Sequence, residues 1–280
     1  IKTENLETIR NRDLFSMMGK VALPIALQSL IGSSLSFIDN LMVGSLGELE
    51  LNAVGVSVQV FFIYWMLLFG FTGGMGTFIS QFYGVMDFKN IRKTTGFALS
   101  AAAGVSLLFF VAGFFFPEYI LRIFTKYPEV IEAGVGYVRI CSFTFLFLAV
   151  TQPFTVALRA TQQSALPLAA SVIAFATNTF LNWVFIFGKL GAPALGVEGA
   201  ALATAIARLL EMLIILFEVF VLKNRIAGHF REFFSYNREL ASRIIRNALP
   251  TTANETLWGI GTSMYVAAFA RIGISEGAAV

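Results

Sequence analysis

Seven stretches of twenty or more mostly apolar residues, at 21–43, 54–80, 96–116, 134–157, 167–187, 199–222 and 248–270, constrain this chain more than any motif does. Each can cross the hydrocarbon layer of a bilayer as a helix, which takes about 20 apolar residues. A spanning segment must satisfy its backbone internally, and runs of this length do so as helices. The fold class expected is therefore an all-α membrane protein. Apolar residues make up 57% of the 280 and charged residues only 13%, too apolar a balance for one soluble core.

The few charges are distributed by connection. Lys2, Arg10, Arg12 and Lys20 precede the first helix, Lys89, Arg92 and Lys93 follow the second, and Arg159 follows the fourth. Lys223, Arg225, Arg231, Arg238, Arg243 and Arg246 follow the sixth. The alternate connections hold Arg122, Lys126, Lys189 and Arg271. By the positive-inside rule the N-terminus and the long connection near 223–246 face the cytoplasm. A net charge of +3 spread in this way is a topology signal and gives no reason to expect nucleic acid as a partner. The first twenty residues lack a cleavable-signal pattern and read as a retained amphipathic lead-in. Cys141 is the only cysteine and His229 the only histidine, so neither a disulfide framework nor a Cys/His metal site is available; His229 reads as a surface residue.

Composition turns polar and basic between Lys223 and Arg246, which marks a domain boundary. The expected division is a cytoplasmic lead-in (1–20), a six-helix bundle (21–222), a cytoplasmic linker (223–246) and the first helix of a second bundle (247–280). At an offset of 226, Ala22-Leu23-Pro24 matches Ala248-Leu249-Pro250, and Gly47, Glu50, Ala53 and Val54 match Gly273, Glu276, Ala279 and Val280. Six helices separate the copies, so orientation is preserved and the repeat is a parallel one. Two such halves need about 450 residues, so the chain is expected to be a piece of a longer transporter. Pro24 and Pro250 could be first-turn prolines or could kink their helices, and Pro24 is the candidate hinge. Gly70/Gly74 and Ser100/Gly104 are spaced for close helix packing.

Acids inside such segments are costly and usually functional. Asp39 follows Ser33, Ser34 and Ser36 on the first helix, and a carboxylate there can exchange a proton or sodium ion for a cationic substrate; the alternative is an acid snorkelling at the interface. Asn178 and Asn182 share a face of the fifth helix and either bond between helices or complete a polar site with Asp39 and Thr204. Arg208 and Glu211, three apart, read as a structural ion pair, and Glu218 as a snorkelling acid. Glu255 has no basic residue within a turn, so its partner is a cation, a proton or a group on another helix. The Phe61–Trp65 and Phe114–Phe116 clusters could line a cation site, though most such rings pack or face lipid. No phosphate loop, metal pair or Ser/His arrangement is present, so the chain is not expected to be an enzyme and no cofactor beyond a coupling ion, Na+ or H+, is implied.

Taken together, the chain resembles the multidrug and toxic compound extrusion (MATE) family, and its NorM-like branch most. The resemblance rests on Ala22-Leu23-Pro24, Phe37-Ile38-Asp39-Asn40-Leu41-Met42-Val43-Gly44, Gln81-Phe82-Tyr83-Gly84, Pro153-Phe154 and Leu158-Arg159-Ala160. It also rests on Asn178 to Asn182, Gly196 to Thr204, and Ala248-Leu249-Pro250 leading to Glu255. It implies two six-helix bundles and efflux of lipophilic, often cationic compounds against Na+ or H+. It further implies that Asp39, Asn178 and Thr204 form the polar cluster of the N-terminal lobe, that Glu255 is the acid of the seventh helix, and that Pro24 is a proline at which the first helix bends. Asn182 departs from other branches, which place an aspartate there, and this shifts weight in ion binding to Glu255.

The expected function is a secondary antiporter of the inner or plasma membrane working by alternating access, with Na+ at Glu255 or Asp39 ranked ahead of protons and the protein working as a monomer. A lipid-linked oligosaccharide flippase is the rival, disfavoured because it needs a large basic cavity and few internal cations other than Arg139 and Arg208 are available. A membrane-embedded enzyme is the remote one.

Overall fold

In a computed structural model, residues 11–272 are described, with side chains from Met18 to Arg271. Ten α-helices follow one another: α1 (Asn11–Gly44), α2 (Glu48–Gly84), α3 (Phe88–Phe115), α4 (Pro117–Phe124), α5 (Pro128–Cys141), α6 (Phe143–Ala160), α7 (Ala165–Phe187), α8 (Gly196–Leu216), α9 (Phe230–Phe233) and α10 (Arg238–Ile272). Their ends follow local chemistry. Asp87 caps α3 by accepting from the Asn90 amide at 3.0 Å. Pro117 and Pro128 begin α4 and α5, where a missing N–H leaves nothing unsatisfied. Gly188 ends α7 at φ 65°, a left-handed conformation that glycine adopts without strain.

Among the described residues, six segments are long and apolar enough to cross a membrane: Met18–Gly44, α2, α3, α6, α7 and Gly196–Val221. The seventh expected span, 248–270, is helical within α10, yet α10 is not among the six. Thr251, Thr252, Asn254 and Glu255 make its middle too polar. The fourth expected span is broken into α5 and α6 at Ser142, whose hydroxyl donates to the Val138 carbonyl at 2.7 Å. Such back-bonding bends helices. The sixth ends in a π-helical turn, Phe217–Val221.

Pro24 and Pro250 lie well inside α1 and α10, so neither is a first-turn proline. Each removes one i to i−4 hydrogen bond and crowds the preceding turn. Of the expected lead-in, residues 1–10 lie outside the described residues, while 11–20 are the opening turns of α1. The repeat positions Gly273, Glu276, Ala279 and Val280 also lie outside them.

Three apolar clusters hold the bundle. One surrounds Tyr64, Phe145 and Leu121; Tyr64 is fully buried, and its hydroxyl pairs with Ser106 Oγ at 2.6 Å and donates to the Phe145 carbonyl at 3.1 Å. A second gathers Met75, Ile79, Phe154 and Phe233, and a third Val43, Tyr137, Cys141 and Ile186. α1 is peripheral: Leu23, Leu30, Phe37 and Leu41 on its outer face are exposed, as lipid-facing residues would be.

The segment after α8 is not a loose connection. Ile226 and Phe233 are buried, Arg92 pairs with Glu232 at 2.7 Å, and the Tyr236 hydroxyl donates to Ser100 at 3.0 Å. A Cβ at Gly96 would sit 1.8 Å from the Phe233 carbonyl oxygen, so α3 and this segment meet backbone to backbone. Helix α10 already begins at Arg238, so 238–246, expected as linker, is helical. It packs against α2 through Gly70 and Gly74, where added Cβ atoms would lie 2.7 Å and 2.6 Å from the Cα atoms of Thr252 and Ala248. This is the close approach that small residues permit. Gly104 does not follow suit, since nothing lies within 4 Å of its Cβ position.

Candidate functional site

A cavity of about 710 Å³ opens between α1, α2, α6, α7 and α8. Helices α1 and α7 frame it and carry two polar rungs. At the first, Gln28 Nε2 donates to Ser171 Oγ at 2.7 Å. At the second, Asn182 Nδ2 donates to Asp39 Oδ1. Eleven residues separate the rungs on each helix, which at 1.5 Å per residue is about 16 Å.

The second rung continues inward. Asn182 Nδ2 also donates to Asn178 Oδ1 at 3.0 Å, and Asn178 Nδ2 donates to Thr204 Oγ1 at 3.1 Å. The four residues singled out in sequence thus form one hydrogen-bonded chain from α1 through α7 to α8. Asn178 and Thr204 line the cavity; Asp39 and Asn182 stand behind them. Asp39 is half-buried and Asn182 fully buried. Its i, i+4 spacing puts Asn178 one turn below Asn182, which is how one amide bridges carboxylate and hydroxyl. Asn182 Oδ1 is buried and accepts no hydrogen bond among the described residues. Buried acceptors are rarely left in that state.

The first rung is likewise part of a network. Ser171 Oγ donates to Glu211 Oε1 at 2.8 Å, and Arg208 Nη1 pairs with Glu211 Oε2 at 2.7 Å. The expected Arg208–Glu211 pair is therefore present, with Glu211 buried and held from both sides. Arg159 Nη2 donates to Gln28 Oε1 at 2.6 Å. Arg159 was read in sequence as a loop cation; its side chain turns inward from the last turn of α6 and lines the cavity. Arg139, read as internal, is exposed and reaches only the Phe114 carbonyl, at 3.4 Å.

Two acids differ from expectation. Glu218 does not snorkel: it lies in the π-helical turn with 8% of its surface exposed, and its Oε2 is buried without a partner among the described residues. Glu255 is half-buried on α10, makes no hydrogen bond or ion pair among the described residues, and does not line the cavity. The structure does not bring it together with Asp39. Of the aromatic clusters, Phe62 and Trp65 line the cavity, Phe61 and Tyr64 pack inside, and Phe115 and Phe116 are exposed. His229 is exposed.

Sequence reading missed Gln28, Ser171 and the inward turn of Arg159. A signal existed for the first two, because Ala165-Leu166-Pro167 repeats Ala22-Leu23-Pro24 and that register sets Gln28 opposite Ser171.

Comparison with known proteins gives these elements a family. The MatE family model matches residues 24–184. "Probable multidrug resistance protein YoeA" of Bacillus subtilis is 27% identical over 248 residues, covering 86% of this chain and 52% of that protein. "Multidrug resistance protein NorM" of Vibrio cholerae is 24% identical over 230 residues, 81% of this chain and 49% of that protein. The chain spans about half the length of the curated relatives it matches. Among solved structures, an outward-facing multidrug resistance MATE family transporter superposes with a TM-score of 0.81 at 22% identity, covering 94% of this chain and 57% of that one. An inward-facing one gives 0.78 at 22% identity, covering 92% and 59%. At this identity the structures speak for the fold. With the family model matching more than half of its residues across the helices that frame the cavity, the chain belongs to the MatE family.

Proposed function

We propose that this chain supplies the N-terminal lobe of a secondary antiporter that expels lipophilic compounds across the plasma membrane in exchange for Na+ or H+. The observation that carries the reading is the chain Asp39–Asn182–Asn178–Thr204, which joins a carboxylate inside a membrane-spanning helix to the wall of a cavity. Protonation of Asp39, or a cation beside it, changes what Asn182 can donate to, and Asn178 and Thr204 relay that change to the cavity. That is a route by which ion occupancy alters cargo binding. The names of the relatives, multidrug resistance proteins, support the cargo class.

Na+ is the first choice of coupling ion. The carboxylate of Asp39, the unpartnered Asn182 Oδ1 and the neighbouring amide oxygen form a set of hard oxygen donors, which suits such a cation. Glu255 enters by family resemblance as a second ion-binding acid, with its partners on helices outside this chain. Pro24 serves as the hinge of α1, and the N-terminus lies in the cytoplasm, where the excess of lysine and arginine places it. The matching prolines of α1 and α10 support a second, parallel bundle beginning with α10.

The test is ion-driven dye efflux from vesicles holding the intact gene product. Asp39→Asn and Glu255→Gln should each uncouple efflux from the ion gradient while leaving the protein folded. Retention of gradient-driven efflux by both variants would show that these acids are not the coupling groups.

A further inference from the structure

The charge inside the cavity is not what a cationic cargo would ask for. Among the described residues, its lining holds three ionisable ones, Arg159, Arg208 and Glu211. Glu211 is engaged on both oxygens, by Ser171 and by Arg208. Asp39 lies behind Asn178 and does not reach the wall. The lining therefore carries one more positive charge than negative, and Arg159 is the cation in it that no carboxylate pairs with directly. No carboxylate among the described residues lies within 4.0 Å of Arg159; it has one neutral acceptor, Gln28 Oε1, and its Nε is buried and donates to nothing. Arg159 is half-buried, and Glu211, already paired with Arg208, acts on it only from beyond 4.0 Å; an anion that accepts two of its N–H groups would offset its burial best.

We infer that the Gln28 end of this cavity binds the negatively charged group of an amphiphilic cargo, a carboxylate, sulfonate or phosphate, with Arg159 as its anchor. The remainder of the cavity fits the organic part. Phe62, Trp65, Met66, Phe69 and Phe175 offer aromatic and thioether surface, and about 710 Å³ is room for a drug-sized molecule. Arg208 cannot serve equally, because its charge is matched by Glu211. A zwitterion is accommodated with its negative end at Arg159 and its positive end toward the hydroxyls and amides of the Asp39 chain.

The inference rests on the cavity being the cargo site of the proposed antiporter, and the experiment separates the two. The intact protein in nanodiscs of zwitterionic phospholipid is titrated with three probes on one anthracene scaffold, bearing a carboxylate, its methyl ester or a trimethylammonium group, with tryptophan quenching as readout. The carboxylate should bind roughly ten to a hundredfold tighter than the ester, the value of one or two charge-assisted hydrogen bonds. Arg159→Gln should erase that advantage without weakening the ester, and Arg159→Lys should keep most of it. Gln28→Glu, which sets an acid of the protein's own against Arg159, should erase it by a second route. If the trimethylammonium probe binds best, or if folded Arg159→Gln and Gln28→Glu proteins both keep the carboxylate preference, the inference is overturned.

Raising the fraction of anionic phospholipid identifies the source of the anion. Displacement of the carboxylate probe from wild type but not from Arg159→Gln points to a lipid headgroup, and no displacement points to a soluble amphiphile; both outcomes keep the site. Anion binding without gradient-driven flux of any probe would end the antiporter reading alone. Flux that prefers the cationic probe would end this inference alone.

Discussion

Asn182 donates to Asp39 at a sequence separation of 143, and Gln28 donates to Ser171 at the same separation. Helices α1 and α7 are thus parallel and in register. Ala22, Leu23, Pro24, Ala26 and Phe37 recur as Ala165, Leu166, Pro167, Ala169 and Phe180. The copies differ in where each helix starts. Helix α7 opens at Ala165, so Pro167 is in its first turn and leaves no carbonyl stranded; α1 opens at Asn11, so Pro24 leaves the Lys20 carbonyl without its helical donor.

Pro24→Ala restores that donor. The helix should gain up to about 3 kcal/mol, the usual penalty of an interior proline. If bending at Pro24 is part of the transport cycle, the thermal midpoint rises while ion-driven efflux slows. A variant with wild-type efflux would remove Pro24 as the hinge.

Asn182→Leu deletes the amide that serves both Asp39 and Asn178. A half-buried carboxylate then loses its donor, and stability should fall by about 1–3 kcal/mol. The check is thermal unfolding in detergent, with Asn182→Asp alongside it. An unchanged midpoint for the leucine variant would mean that the rung carries no load.

The ion pair on α8 is suited to a double-mutant cycle. Arg208→Gln alone strands a buried Glu211 and should cost about 3–5 kcal/mol, whereas Arg208→Gln with Glu211→Gln should recover a large part of it. Equal losses from the single and double variants would contradict a coupled pair.

Glu218 is buried in the π-helical turn with one oxygen unpartnered. Glu218→Gln keeps the shape and removes the need to bury an unpaired charge, so it should raise the thermal midpoint near neutral pH. Destabilisation instead would reveal a cation facing this acid.

Gly74→Val places a Cβ 2.6 Å from the Cα of Ala248, a backbone atom that cannot step aside. It should cost about 1–3 kcal/mol by overpacking. Gly104→Ala, with open space around it, should stabilise α3 by up to about 1 kcal/mol. Similar midpoint shifts for both would refute the packing of α10 on α2.

Much of this arrangement was legible in the sequence, because period and polarity in a greasy chain carry few meanings. Asn178 and Asn182, four apart among apolar residues, had to face inward, and an acid on α1 was the partner they could reach. The Arg208–Glu211 pair followed from spacing alone. Three features escaped for physical reasons. The direction of the Arg159 side chain depends on Gln28 of another helix, and loop charge counting cannot see it. The burial of Glu218 depends on a π-helical turn that no periodicity announces. The docking of residues 226–236 onto α3 rests on Gly96, whose role appears only once the Phe233 backbone is beside it.

The near-contact of backbones at Gly70 and Gly74 has a mechanical consequence. With glycine on the α2 side of both crossings, α2 and α10 meet almost backbone to backbone, so a shift of α10 is passed to one wall of the cavity. Another wall is α1, bare on its outer side but tied to α7 by the Gln28–Ser171 and Asp39–Asn182 rungs, so a displacement of α1 must either carry α7 with it or break both rungs.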